Sequence, residues 1–187
     1  MDPGTAETRA LDAAEDLFYR RGVHAVGMDD IRDASGVSLK RLYQLFPNKE
    51  RLVTAFLRRR DVRWRDRLTT FVAKTADPRA RPLAVFDWLH TWFREPDFRG
   101  CAWINCFGEL GATSPAVAEE VRGHKAAFRR YLRELVADAE LPPPLADHLL
   151  LLAEGAMVTA AITGAAKPAH QARAAATQLL AAAAPTT

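Results

Sequence analysis

Ser35-Gly36-Val37-Ser38-Leu39-Lys40-Arg41-Leu42-Tyr43-Gln44-Leu45-Phe46-Pro47-Asn48-Lys49-Glu50 is the stretch that decides how this chain is read. Gly36 is free to take positive φ, so Ser35-Gly36-Val37 reads as a tight break between two short helices. Ser38 is a good N-cap for the second, about residues 39–46, and Pro47 ends it. Leu42 and Phe46, at i and i+4, would anchor that helix from inside. Ser38, Leu39, Lys40, Arg41, Tyr43 and Gln44 would then lie on its outward face. Two short helices joined by a glycine-containing turn make a helix-turn-helix, whose second helix enters the major groove of duplex DNA. The side chains suit that role. Arg and Lys donate to guanine O6 and N7, Gln pairs with adenine, and a leucine touches the thymine methyl.

Working outward, almost every periodic stretch has helical spacing and none alternates with period two, so the expected fold is all-α. A first helix over about 5–21 places Ala10, Ala14, Leu17 and Phe18 on one face and stops at Gly22. A second, about 28–34, turns Met28 and Ile31 inward, with Asp29 and Asp30 in its first turn. Asn48 caps a long fourth helix over about 49–74. Its opening backbone amides form a phosphate seat to which Lys49 adds charge. Beyond Asp77-Pro78 further helices are expected at about 79–94, 102–112, 115–139, 144–165 and 168–184. The domains expected are therefore 4–64, carrying the helix-turn-helix, and 78–184, a larger helical body, with the fourth helix linking them.

Charge agrees with a polyanion partner for the first of these. Residues 1–35 carry 4 basic and 8 acidic side chains, whereas residues 36–74 carry 11 basic and 3 acidic. The jump begins where the reading helix begins. The run Arg58–Arg67 fits a solvated helix face equally well. Over the whole chain, 187 residues with 49% hydrophobic and 26% charged describe an ordinary globular composition. Cys101 and Cys106 are too few for a disulfide framework. Residues 1–10 lack the apolar run of a signal peptide, and the stretch Leu149–Ile162 is broken by Glu154 and Gly155 and reads as too short for a bilayer. A soluble, cytoplasmic protein without membrane contact is the expectation.

Residues 9–53 resemble the TetR family of bacterial transcriptional repressors. Gly36-Val37-Ser38, Leu42-Tyr43 and Phe46-Pro47-Asn48-Lys49-Glu50 carry the likeness, matching the family's Gly-Val-Ser, Leu-Tyr and Phe-x-Ser/Asn-Lys-Glu at the right spacing. The resemblance implies a DNA-binding head of three helices, a linking fourth helix, a ligand-receiving C-terminal domain and a homodimer bound to a double-stranded operator. Three positions depart from the pattern. Val26-Gly27 stands where the family often has two hydroxyl residues, leaving the backbone amide of Gly27 as the substitute phosphate donor. Arg32 follows the inward Ile31 where alanine is usual and must snorkel outward or reach phosphate. Lys40 and Arg41 replace small residues. A head that has lost DNA reading, on a helical ligand-binding or interaction protein, is the alternative these departures motivate.

In the C-terminal half, Trp88, Trp92, Trp103, Asn105 and Phe107 are the candidate lining of a pocket for a small-molecule effector, since apolar gaps between helices are common ligand sites. The segment from Arg99-Gly100-Cys101 through Asn105 to Glu109 is similar to one found in a subset of the family. Ala153, Ala156, Ala160 and Gly164 form a stripe of small residues, repeated at Ala172, Ala176 and Leu180. This suggests that about 144–184 pairs with a second copy in a four-helix bundle. The histidines are scattered, the two cysteines do not share a helix face, and no phosphate loop or nucleophile elbow is legible. No catalytic residue, metal or cofactor is expected.

Overall fold

A computed structural model describes residues 2–183 and contains only helices among them. They are α1 (Pro3–Arg21), α2 (Met28–Ser35), α3 (Leu39–Leu45), α4 (Lys49–Val72), α5 (Arg81–Phe93), α6 (Ala102–Leu110), α7 (Pro115–Asp138), α8 (Leu145–Thr163) and α9 (Lys167–Ala183). The expected end of the last helix, residue 184, lies outside the described residues. The single helix expected over 79–94 instead opens with one 3-10 turn, Pro78–Ala80. Asp77 caps that turn by accepting from Arg79 N at 2.9 Å, and Pro82 lacks the N–H that would extend it as a regular α-helical ladder.

The chain divides into two compact units. One runs to Val62 and takes in Ala102–Gly123, and the other comprises Arg63–Cys101 and continues from His124. In the first, Ala10, Ala14 and Phe18 of α1 are buried with Ile31 of α2, Leu42 of α3, and Leu52, Val53 and Phe56 of α4. Phe18 meets Phe56 edge-on at 5.9 Å. Gly36 takes the left-handed conformation, φ 65° and ψ 18°, and ends α2 with its N–H on Arg32 O. Val37, next in sequence, is buried and pins the turn.

Ionic contacts tie α1 to α4. Glu15 accepts from Arg59 at 2.9 Å and from Arg60 at 3.0 Å, Asp12 joins Arg59 at 2.9 Å, and the Arg60 guanidinium lies 3.9 Å over the Tyr19 ring. Arg58 donates to Glu120 at 2.7 Å. In the second unit Arg67 pairs with Glu95. The run Arg58–Arg67 is therefore engaged largely within the protein.

The second unit is organised by Trp64. Its indole meets Trp88 at 5.0 Å, His124 at 5.0 Å, Phe128 at 5.2 Å and Trp92 at 5.9 Å, all edge-on, while Trp88 and Trp92 stack. Edge-on and offset contacts suit the ring quadrupoles.

The structure bears on two expectations about α8. Ala153, Ala156 and Ala160 are buried, as are Ala169, Ala172 and Ala176 of α9. These alanines are thus covered within the chain, where α8 packs on α9 and α9 on α5, whereas Gly164 is exposed. At 19 residues, α8 is also long and apolar enough, by length and composition alone, to cross a membrane. It carries Glu154, which pairs with Lys125 at 2.6 Å.

Removing the Trp64 indole opens a void at the centre of four rings. Trp64→Ala should lose about 3–5 kcal/mol of unfolding free energy in urea titration. A loss below about 1 kcal/mol would show that the ring cluster does not organise this unit.

Candidate nucleic-acid interface

The reading face is built from both sides of α3. Inside, Leu42 and Phe46 are buried, as helical spacing requires. At the N-terminus the Ser38 hydroxyl accepts from Arg41 N at 3.3 Å, fixing where the first turn starts. Outside, Ser38, Lys40, Tyr43 and Gln44 are exposed, and Leu39 and Arg41 are half-buried. Tyr43 is 46% exposed, so its ring is not spent on packing against α1. Arg41 Nη1 donates to Gln44 Oε1 at 3.0 Å. This contact orders two long side chains along one edge of α3, and each must exchange it for any contact outside the protein.

The flanks of α3 behave differently from one another. The Gly27 N–H, expected as a phosphate donor, is held by Asp30 Oδ2 at 2.7 Å. That bond, followed by the Arg21 guanidinium, holds the Asp30 carboxyl below the ordinary range despite some desolvation. Arg32 snorkels, but to its own helix. It donates to Asp33 at 2.7 Å and pairs with Asp29. On the other flank, Asn48 Oδ1 accepts from Arg51 N at 2.9 Å and caps α4. Lys49, half-buried beside it, has its pKa pushed down by burial, while the Glu109 and Asp30 carboxylates pull it back up. A lysine so placed gains from an added anion that offsets its desolvation.

Trp88 and Trp92 belong to the ring cluster of the second unit, whereas Trp103, Asn105 and Phe107 lie on α6 in the first. Trp103 is buried, and Asn105 and Phe107 are exposed, Phe107 by 48%. A cavity of about 230 Å³ opens beside Trp64, Leu68, Phe128 and Tyr131, with Arg65 and Glu134 at its edge. It lies between α4 and α7 within the second unit. Sequence reading missed it because Trp64 sits inside the arginine run. Its only signal was the spacing of Trp64 and Leu68 at i and i+4. The fold also joins two of the scattered histidines, His90 and His170, whose rings lie 3.9 Å apart.

An all-α chain with an N-terminal helix-turn-helix presenting cationic and amide side chains over a buried leucine defines the class of helix-turn-helix regulators. The family model "Bacterial regulatory proteins, tetR family" matches residues 10–56. A putative TetR transcriptional regulator from Streptomyces avermitilis is 31% identical, covers 98% of both chains and superposes with a TM-score of 0.79. A TetR-family transcriptional regulator from Streptomyces coelicolor, SCO4454, is 26% identical with 97% of both chains covered and a TM-score of 0.87. The transcriptional activator FasR of Mycolicibacterium smegmatis is 37% identical over 112 residues, 60% of this chain. That stretch spans half of FasR. This chain belongs to the TetR family of bacterial regulatory proteins, which are transcription regulators and not enzymes.

Tyr131 gives the cavity beside Trp64 a spectroscopic marker. Burial pushes its phenol up to about 12, with Arg81 opposing and Glu134 reinforcing. In the unfolded chain it ionises near 10. The folded form therefore holds the proton longer, and this contribution to stability is full below pH 10 and is lost as pH rises from 10 to 12. Ultraviolet titration should show a tyrosine ionising late, and Tyr131→Phe should remove that step. A titration that Tyr131→Phe leaves unchanged above pH 10 would contradict the burial of this side chain.

Proposed function

We propose that this protein is a homodimeric regulator whose α3 reads a near-palindromic double-stranded operator, repressing transcription until a small-molecule effector releases it. The observation that carries this reading is the set of exposed Lys40, Tyr43 and Gln44 with half-buried Arg41, standing over the buried Leu42 and Phe46. Lys40 and Arg41 donate to guanine edges, Gln44 pairs with adenine, and Leu39 meets a thymine methyl. Ser38, Tyr43 and Lys49 hold phosphates. Residues 4–64 act as the DNA-binding domain and 78–184 as the effector and dimerisation domain, residue 184 lying outside those described. Two heads in successive major grooves stand about 34–36 Å apart.

The dimer forms through the face of α8 that α9 leaves open. Leu151 is 70% exposed, Ile162 79% and Val158 39%, a concentration of apolar surface that water disfavours. The effector enters the cavity between α4 and α7. Since α4 is one continuous helix, a molecule that favours one placement of its second half shifts the equilibrium of the heads, by no more than its differential affinity. A chain of this kind works in the cytoplasm. FasR is named an activator, so the sign of control is measured with a reporter gene under the operator. A head that no longer reads DNA is the second reading, and the Gly27 N–H spent on Asp30 is the observation on its side.

Selection from random duplex DNA should return a near-palindrome bound at least about a thousandfold over random sequence. Lys40→Ala with Arg41→Ala removes two base contacts worth about 1–3 kcal/mol each, so anisotropy should show at least about a thirtyfold loss of affinity. The salt slope should also become shallower, with the dimer intact. Unchanged affinity would remove α3 from the interface, and no enriched sequence would leave the second reading. Leu151→Glu with Ile162→Glu should give monomers in sedimentation and weaken operator binding. A dimer that persists would move the interface elsewhere.

A further inference from the structure

The motif running from Arg99-Gly100-Cys101 to Glu109 has a residue whose chemistry neither base reading nor the effector cavity uses. Glu109, in the last turn of α6, points its carboxylate at the loop between α1 and α2. Oε1 accepts from Val23 N at 3.0 Å, and Oε2 accepts from His24 N at 2.7 Å. The His24 ring closes the contact through Nε2, 3.0 Å from Glu109 O. One residue thus takes two consecutive backbone amides and one side chain from a loop 85 residues away in sequence.

The loop is shaped to the carboxylate. Gly22 has φ 82°, and a Cβ added there would lie 3.1 Å from Glu109 Oε1. Only glycine offers both that conformation and that approach. The other ties on the loop come from the head itself. Arg21 Nη2 donates to Ala25 O at 3.2 Å, and Arg21 Nη1 reaches Asp30 at 3.3 Å. Glu109 is the anchor reaching the loop from outside the first three helices. Beyond His24 the chain runs through buried Val26 into the first turn of α2, whose far end is the Gly36 turn that aims α3. The same carboxylate also acts on Lys49.

We propose that Glu109 is a positioning residue for the helix-turn-helix, a latch by which α6 fixes the loop before α2 and, through α2, the placement of α3. Its bearing on operator binding rests on the DNA-reading function above, whereas its hold on the loop does not. A carboxylate accepting two amides is a charge-assisted, two-point contact, stronger and more directional than a neutral one. A change in α6 therefore reaches the head at the α1–α2 loop directly, without first tilting α4.

The test is amide hydrogen exchange on the full-length chain, as wild type, Glu109→Gln and Glu109→Ala, alone and with the selected operator duplex. Without DNA, Glu109→Ala should speed exchange at Val23 and His24 at least tenfold, with a smaller acceleration through α2 and α3. Glu109→Gln keeps one acceptor oxygen and should fall between, and it carries the test if the alanine variant does not fold. Amides of α8 and α9 should be unchanged, which separates release of the latch from general destabilisation. With operator, protection of α6 should rise in the wild type and not in Glu109→Ala, as reciprocal coupling requires, and operator affinity should fall at least fivefold. Unchanged exchange at Val23 and His24 overturns the latch. So does acceleration confined to the loop with operator affinity intact. A wild type that binds no duplex, while Glu109→Ala still loosens α2 and α3, overturns the DNA reading and supports the latch.

Discussion

Glu15 pairs with two arginines at once and ties α4 to α1 in the head. Arg59 and Arg60 keep only 18% and 13% of their side chains exposed, because α4 must lay Phe56 and Leu57 into the core beside α1. That burial drags the neighbouring guanidiniums out of water. Leaving such a group without its partner costs about 1–3 kcal/mol. Glu15, with Asp12 behind it and the Tyr19 ring under Arg60, makes the arrangement stable. The acidic α1 and the basic α4 are therefore halves of one structural device. The sharp change of charge along the sequence comes partly from this pairing and only partly from α3.

The same helix then serves a second core. From Arg63 onward α4 contributes Trp64, Leu68 and Val72 to the second unit, keeping the i, i+4 spacing begun at Leu52 and Phe56. A single 24-residue helix with no proline or glycine inside it propagates hydrogen bonding without a natural hinge. Conformational change that involves it must come from shifts of the whole helix or from contacts made by other elements. Glu109 supplies a contact of the second kind to the loop before α2, and the cavity beside Trp64 lies along the helix itself.

What was legible in the sequence was local. Gly36, Ser38, Pro47 and Asn48 act on their own turns, so the ends of α2, α3 and the start of α4 follow from their chemistry alone. Apolar spacing placed Leu42 and Phe46 inside, and that does not depend on the neighbour. The partners of a face were not legible. Ala153, Ala156 and Ala160 announce close approach, but the spacing is the same whether α9 or another chain approaches. Asn105 and Phe107 are near Trp103 in sequence, yet helical geometry turns them to the exposed side of α6. Glu109 carries no periodic signature, because its partners are backbone amides and any residue type could have supplied them. The Gly27 amide was open to phosphate only until Asp30, three residues on, was seen to fold back onto it.

These pairings bear on how selective the proposed DNA reading has to be. Arg32 is held by Asp29 and Asp33, and Arg58, Arg59, Arg60 and Arg67 by carboxylates of α1, α5 and α7 or the turns beside them. Lys40, Arg9 beside the Gly36 turn and Arg51 in the first turn of α4 are exposed near the helix-turn-helix, with Arg41 and Lys49 half-buried. Non-specific affinity grows with the number of phosphates neutralised, and the acidic first turn of α2 subtracts from it. The three acidic residues on α2 therefore lower what the head gains from an arbitrary duplex. In the proposed reading, affinity for base edges comes from Lys40, Arg41 and Gln44, and Arg41 and Gln44 first give up the hydrogen bond they make to each other. A base pair that does not replace that bond leaves a donor and an acceptor worse off than in the free protein. In that reading, the same contact that orders the reading face disfavours wrong sequences.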